Sequence, residues 1–205
     1  MLEWFAKGGV FMWPLLACSV IGLAFILERA AALHRADLEV RQFFDLIIAE
    51  VRTQGVEVAI ESCKRRPGPI ANIIEAGLQR FPLGAGAVEK AMETAGGIEA
   101  SFLQRGLIWM ATVANVAPLF GFLGTVSGMI GAFDAIAAAD RVSAKIVASG
   151  ISEALITTEA GLLIAIPVQT AHNYFAARIE RLLVEVEESS LDLLAEAERR
   201  DAQRG

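Results

Sequence analysis

Two carboxylates and several hydroxyls lie close together in an otherwise apolar stretch of the chain. Residues 150–167 read GISEALITTEAGLLIAIP, and they include Glu153, Thr157, Thr158 and Glu159. A carboxylate binds and releases a proton, and a hydroxyl both donates and accepts hydrogen bonds. Acids in such a setting usually line a water path or pair with a polar partner.

Helical spacing distributes these groups over more than one face. At 100° per residue Glu153 and Thr157 share a face, whereas Thr158 lies about 140° from Glu153 and Glu159 about 120° the other way. The two acids and Thr158 therefore cannot all point at one axis. The alternative for Glu153 is an interfacial acid at the end of a membrane span. The alternative for Glu159 is a buried structural carboxyl bonded to a neighbouring hydroxyl.

A second block, residues 117–133, reads APLFGFLGTVSGMIGAF and is rich in small residues. Small residues at helical spacing let membrane helices approach closely. Packing explains the glycines fully but explains Thr125 less well, because its hydroxyl adds a hydrogen-bonding group. Together with a proline from each of the two blocks, the expected packing positions are Gly121, Gly124, Gly128, Gly131, Pro118 and Pro167.

Other chemistries find no support in the sequence. The two cysteines and two histidines form no cluster with metal-ligand spacing, and no nucleophile stands beside a base. The net charge of −6 comes without a basic stripe, which argues against nucleic acid. We therefore expect no enzyme, no catalytic residue, no metal and no cofactor.

The chain as a whole is more apolar than a soluble domain. Of its 205 residues 55% are hydrophobic and 20% are charged, against about 45–50% and about 25% in typical soluble domains. The excess sits in residues 10–27, 106–133 and 154–177, each long enough for a membrane helix of roughly 17–25 residues. The rival interpretation of the first block is a cleaved signal peptide. It lacks a positively charged start, because Glu3 offsets Lys7.

Lysine and arginine predict the orientation. Ten of the 18 lie between residues 29 and 105, which makes that side cytoplasmic by the positive-inside rule. We expect a periplasmic N-terminus (1–9), transmembrane helices at 10–28, 106–134 and 150–177, a cytoplasmic helical region (29–105), a short periplasmic loop (135–149) and a cytoplasmic C-terminal helix (178–205).

The parts outside the membrane also read as helices. Residues 37–52 and 70–81 have apolar residues at helical spacing, separated by breaks at 67–69 and 82–86, and residues 87–105 feed directly into the second span. The tail carries an apolar stripe that includes Ile179, Leu182, Val186 and Leu193. This stripe fits either a surface helix or an intersubunit bundle. The bundle is favoured because few other parts of the chain are available to bury the stripe.

Four stretches resemble the family of ExbB, TolQ and MotA. Residues 117–133 look like its AP-x-LGLLGTV-x-GMI-x-x-F signature, and residues 150–167 resemble its GI-x-EAL-x-T-T/A-x-GL-x-x-AIP signature. The opening GGVFMWPLLACSVIGLAFILER and the segment PGPIANIIEAGLQR are similar to the family's first span and cytoplasmic stretch. The three-span pattern argues against a flagellar MotA, which has four spans.

The resemblance implies an all-α membrane protein that assembles as a ring, with a homo-pentamer as the expected form, in the bacterial inner membrane. Its partners would be single-span ExbD- or TolR-like subunits in the central pore, a TonB- or TolA-like periplasmic arm and membrane lipids. Proton flow through the ring would drive the arm, and H+ is the family's usual ion.

Carried over residue by residue, the resemblance makes Thr125 and Thr158 pore-lining hydroxyls and Glu153 a channel acid. Glu159 stands where many relatives have a small residue. We place it with the channel residues, where it would tune the path or the ion, and the alternative is a subunit interface.

Three function classes remain. The first is an ExbB-like motor subunit that energises outer-membrane uptake of iron complexes or vitamins, with a TolQ-like subunit of an envelope-constriction motor as its alternative. The second is a passive membrane scaffold, which predicts that Glu153, Thr125 and Thr158 tolerate apolar replacement. The third, a membrane enzyme, would need a nucleophile with a base.

Overall fold

The computed structural model describes residues 2–36, 40–138 and 144–204, and all regular structure in these ranges is helical. The helices are α1 (Leu2–Lys7), α2 (Met12–Ala36), α3 (Val40–Thr53), α4 (Val56–Arg65), α5 (Pro69–Arg80), α6 (Ala85–Ala137) and α7 (Ala144–Arg204), with a 3₁₀ turn at Phe81–Leu83. The predicted all-α fold class is confirmed. The first residues of the helix expected at 37–52 lie outside the described residues.

Within the described ranges, three helices are long and apolar enough to cross a membrane. The candidate segments are Met12–Leu33 in α2, Ala85–Ala137 in α6 and Val147–Arg200 in α7, which confirms the prediction of three spans. Helix α6 runs without a break for 53 residues and α7 for 61. Helix α6 ends at Ala137 and α7 begins at Ala144, so both extend into residues 135–149, where the sequence predicts a loop; residues 139–143 of that range lie outside the described residues. Alanine is a strong helix former, which accounts for the additional helical residues.

The spanning segments form one compact unit, made of Met1–Arg29 and Gly106–Tyr174. Gly22 of α2 lies against both other helices: a Cβ there would be 3.2 Å from Val113 of α6 and 2.8 Å from Val168 of α7. The ring of Phe25 stacks on Trp109 with centroids 6.1 Å apart. The three spans therefore pack as a bundle within a single chain.

The second unit, Ala30–Arg105 with Phe175–Gly205, has its own hydrophobic core. Helix α3 has apolar residues at helical spacing, and that face is buried. Helix α5 begins at Pro69, which has no N–H to leave unsatisfied in the first turn. The largest fully buried side chains of this core are Phe44, Ile47, Ile70, Ile73, Ile74, Leu78, Ile179 and Leu193.

The C-terminal part of α7 belongs to this core. Ile179 is 2% and Leu193 0% exposed, so much of the tail's apolar stripe is covered inside its own chain. Polar contacts fix the same helix: Arg52 Nε lies 2.8 Å from Glu196 Oε2, and Arg200 donates to the Val51 carbonyl. The intersubunit bundle favoured for this stripe is therefore wrong for these residues. Arg52 and Val51, which hold Glu196 and Arg200, belong to α3, so a helix much earlier in the chain lies against this part of α7.

Cys63 of α4 is buried in the same core. Burial, together with the negative charges of Glu75 and Glu50, raises the pKa of its thiol to about 12, from an ordinary 9.0. The folded state therefore holds a neutral thiol. The stability this gives is complete below pH 9.0 and is lost as the pH rises towards 12.

Cys63 should resist alkylation in the folded protein, because the thiolate is the reactive form. In a Cys18→Ala variant at pH 8, we expect iodoacetamide to label Cys63 on the order of a hundredfold more slowly than an exposed thiol. The matched control is the Cys18→Ala, Cys63→Ser, Gln54→Cys variant, whose only cysteine replaces an exposed residue. Similar labelling rates, measured by mass spectrometry, would contradict the buried environment.

Candidate functional site

Helices α6 and α7 touch along their backbones in the spanning unit. A Cβ at Gly121 would lie 2.9 Å from the Thr157 carbonyl oxygen, and a Cβ at Gly161 would lie 2.7 Å from the Ala117 carbonyl oxygen. Real Cβ atoms essentially never come within 3.0 Å of another heavy atom. Only glycine fits at these two points, and the two backbones are therefore closer than side chains would allow.

Further small residues continue this contact in both directions. Gly124 lies against the side chain of Thr157, which is 1% exposed and donates to the Ala154 carbonyl at 2.9 Å. Gly128 lies against the backbone of Gly150 and Ala154. Sequence reasoning found the α6 side of this interface but missed the α7 side. The pair Gly150-xxx-Ala154, with Gly161 seven residues further along, was the available signal.

At this contact the structure brings together Thr125 and Thr158. Their hydroxyls form a hydrogen bond with each other across the two helices. Thr158 Oγ1 also lies 3.1 Å from the carbonyl oxygen of Gly121, and Thr125 Oγ1 lies 3.1 Å from that of Ala154. Each hydroxyl thus reaches the backbone of the opposite helix. Both residues are half-buried.

Thr125 Oγ1 also lies 3.3 Å from the Gly121 carbonyl oxygen in its own helix, and two other threonines of these helices have a local bond of this kind without a bond to the opposite helix. Thr112 of α6 and Thr170 of α7 are exposed, and each donates at 2.8 Å to the carbonyl four residues earlier in its own helix. This is the ordinary local bond of a helical threonine. The cross-helix bonds of Thr125 and Thr158 therefore depend on the close approach of the two backbones.

Glu153 is not part of the threonine pair. It is half-buried, and its side chain lies against Gly9 in the turn between α1 and α2. On α7 this position is about 140° from Thr158, as the helical spacing predicted. No sequence pattern predicts the contact with the turn, since 144 positions separate Gly9 and Glu153.

Glu159 is exposed on α7, and no described residue donates a hydrogen bond to its carboxylate. The alternative of a buried structural carboxyl is therefore wrong within this chain. Its neighbours one turn away on the same side, Leu155, Leu162 and Leu163, are exposed apolar residues.

Three of the expected packing positions differ from the rest. Gly131 is exposed, and nothing lies within 4 Å of the place a Cβ would take, because α6 has turned it away from α7. Pro118 is half-buried inside α6, and Pro167 is exposed inside α7. Gly131 takes no part in the α6–α7 contact within the chain. As for metal ligands, no suitable group of three His, Cys, Asp or Glu occurs in the described ranges.

Comparison with known proteins agrees with this architecture. The MotA/TolQ/ExbB proton channel family matches residues 65–188, which is more than half of the chain. The chain belongs to this family. It is thus a membrane protein of a class whose members are subunits of motors driven by the proton motive force.

Relatives of two kinds match. A biopolymer transport protein of Synechocystis sp., ExbB-like 1, is 32% identical over 202 residues, which is 95% of this chain and 75% of that protein. The Tol-Pal system protein TolQ of Haemophilus influenzae is 32% identical over 181 residues, 82% of this chain and 78% of that protein. The biopolymer transport protein ExbB of Xanthomonas campestris is 43% identical over 89 residues, 43% of this chain and 35% of that protein.

The close contact of α6 and α7 predicts opposite effects for two glycines of one helix. Gly121→Ala should destabilise the protein by about 1–3 kcal/mol, because the new Cβ meets backbone atoms that cannot move aside. Gly131→Ala should cause no loss, because its Cβ points into open space. Thermal unfolding of both variants in mild detergent measures the difference, and an equal loss in both would contradict the assigned interface.

Proposed function

We propose that the chain is the proton-channel-forming subunit of an ExbB–ExbD–TonB-like motor, which uses the proton motive force to energise outer-membrane transport of iron-siderophore complexes or vitamins. The observation that carries the proposal is the hydroxyl pair of Thr125 and Thr158, which bridges two membrane-spanning helices. The family supports a proton as the ion.

The hydrogen-bond capacity of the pair explains how it would respond to protons. Each hydroxyl has one proton to donate and two lone pairs. If Thr125 donates to Thr158, Thr158 donates to the Gly121 carbonyl; in the reverse direction, Thr125 donates to the Ala154 carbonyl. In both cases both protons are used within the chain, and acceptor capacity remains.

Such a pair distinguishes the two states of a partner's carboxyl group. A protonated carboxyl has an O–H to donate and finds a free acceptor. An ionised carboxylate can only accept hydrogen bonds, and the two hydroxyls already donate their protons to hydrogen bonds within the chain. The pair would therefore hold the protonated partner and release it when the proton leaves to water. The motion of the partner would follow from this difference in binding.

The partner we propose is a single-span ExbD- or TolR-like subunit with an aspartate in its span, held in a ring of this chain with a homo-pentamer as the expected size. A TonB- or TolA-like arm would take up the motion. The apolar residues exposed on α6, such as Leu119, Phe122 and Ile130, would contact membrane lipids or the neighbouring subunits. The excess of Lys and Arg in residues 29–105 supports a cytoplasmic position for that region.

We place Glu153 and Glu159 on the ion path as two separate carboxylate positions. A charged acid at the centre of a membrane helix costs about 2.5–3.5 kcal/mol on insertion scales, so an exposed Glu159 favours a watery or protein-lined face over lipid. Glu153 lies six residues, about 1.7 turns, earlier on α7, beside the α1–α2 turn.

A TolQ-like subunit of a Tol-Pal-type motor is the second candidate. The match to the Haemophilus influenzae TolQ extends over 78% of that protein. The same pore chemistry would serve either motor, since the cargo is set by the arm.

Removing one hydroxyl of the pair should abolish the driven process and leave the assembled complex intact. We expect Thr158→Val to assemble normally and to reduce the driven process about tenfold or more, the equivalent of one lost hydrogen bond. Thr158→Ser should retain function. The matched control is Thr170→Val in the same helix, where only a local bond is lost. The measurement is uptake of a ferric siderophore or vitamin B12 by cells with the variant as their sole copy.

Two outcomes would contradict the pore assignment. One is normal function of Thr158→Val in both uptake and envelope assays. The other is an equal loss in Thr158→Val and Thr170→Val, which would reduce the effect to general helix damage. A loss confined to envelope integrity would support the TolQ-like candidate.

Purification tests the proposed assembly. In mild detergent we expect a five-fold ring, by mass measurement, that carries a single-span protein with an aspartate in its span. The third protein that co-purifies would identify the cargo. A ring or monomer without such a protein, under conditions that preserve other membrane complexes, would favour the passive scaffold.

A further inference from the structure

The turn between α1 and α2 is built from two glycines, and each lies against α7. A Cβ at Gly8 would be 2.6 Å from the side chain of Met12 and 3.1 Å from that of Ile156. A Cβ at Gly9 would collide with Oε1 of Glu153 and lie 2.9 Å from its Cδ and 3.4 Å from its Cγ. The Gly9 backbone is therefore in contact with the whole end of the Glu153 side chain.

Gly9 also has a backbone conformation that favours glycine. Its φ is +69°, in the left-handed region. The chain then enters α2, whose first bonds are Met12 N–H to the Gly9 carbonyl and Trp13 N–H to the Val10 carbonyl. The start of α2 thus fixes the conformation of the turn. The turn then limits where the Glu153 carboxylate can lie.

No hydrogen bond from the described residues holds this carboxylate. The bond that Glu153 makes with Thr157 involves its backbone instead: the Glu153 carbonyl accepts from Thr157 Oγ1 at 3.1 Å. With no donor to orient it, a half-buried carboxylate takes its position from the surfaces it touches. One such surface is the side-chain-free backbone of Gly9.

We propose that Gly9 is a positioning residue for Glu153: the bare backbone of the α1–α2 turn sets where the Glu153 carboxylate lies, and ion passage depends on that position. This rests on the proposed function of Glu153 as a channel acid. The turn belongs to α1 and α2, so the first span contributes to the ion path through this contact, alongside the two spans that carry the hydroxyl pair.

The first test measures the carboxylate itself. Dicyclohexylcarbodiimide reacts with carboxyl groups, and Glu159, on the same helix but exposed, is an internal reference. In the purified full chain we expect Gly9→Ala to change the labelling of Glu153 relative to Glu159 about fivefold or more, since displacements of the order of 1 Å have large effects on reactivity. The control is Gly55→Ala, which strains a turn of φ +100° but meets only Glu57, at 3.5 Å.

A labelling ratio in Gly9→Ala equal to that of the wild type and of Gly55→Ala would overturn the proposal. If Gly9→Ala does not accumulate in the membrane, the double variant Gly9→Ala, Glu153→Ala decides. Removing the carboxylate relieves the collision and should restore the yield. Failure to restore it would mean that the backbone strain alone is responsible, and the positioning role would be rejected.

The second test measures function and separates this proposal from the one on which it rests. We expect Gly9→Ala to reduce the driven process as much as Glu153→Ala does, with no further loss in the double variant, because both changes affect one step. If Glu153→Ala is impaired and Gly9→Ala is normal, the positioning role fails alone. If Glu153→Ala and Thr158→Val are both normal, the proposed function fails, whatever Gly9→Ala does.

Discussion

The close approach of α6 and α7 is the constraint on which the rest of the spanning unit depends. A threonine hydroxyl extends only a short distance from its helix, and it reaches a carbonyl of the neighbouring helix only if the two backbones nearly touch. Gly121 and Gly161 provide that approach, because each lies where a Cβ would be within 3.0 Å of a backbone carbonyl oxygen. The cross-helix bonds of the hydroxyl pair therefore depend on the glycines. Thr112 and Thr170, which lie away from this contact, bond only within their own helices.

This arrangement also solves a problem of solvation. A polar group at membrane depth has no water to bond with, and an unsatisfied one costs several kcal/mol. The carbonyls of Gly121 and Ala154 have spare acceptor capacity that takes up the hydroxyl protons. What remains at the surface of the pair is acceptor capacity on hydroxyl oxygens, which costs less to leave unpaired than a free donor or a charge.

Much of this could be predicted from the sequence, and the limits have physical reasons. Helices, breaks and the angle between Glu153 and Thr158 follow from local periodicity, and periodicity is a property of neighbouring residues. The contact of Gly9 with Glu153 and the ion pair of Arg52 with Glu196 each join residues 144 positions apart. No local pattern contains such information. Gly131 shows the converse error: it has the right spacing for a small-residue pair, but its helix face points away from α7.

Two acids of α7, Glu153 and Glu159, are the same residue type but differ in their surroundings, and the surroundings decide what each carboxylate can do. Glu153 is half-buried against a fixed turn, so its carboxylate has few positions to occupy. Glu159 lies on the exposed face near three exposed leucines, and no described residue donates a hydrogen bond to its carboxylate. A carboxylate held in one position suits a step that needs defined geometry. A charge among leucines is costly in lipid, so the face that carries Glu159 favours a protein or water neighbour.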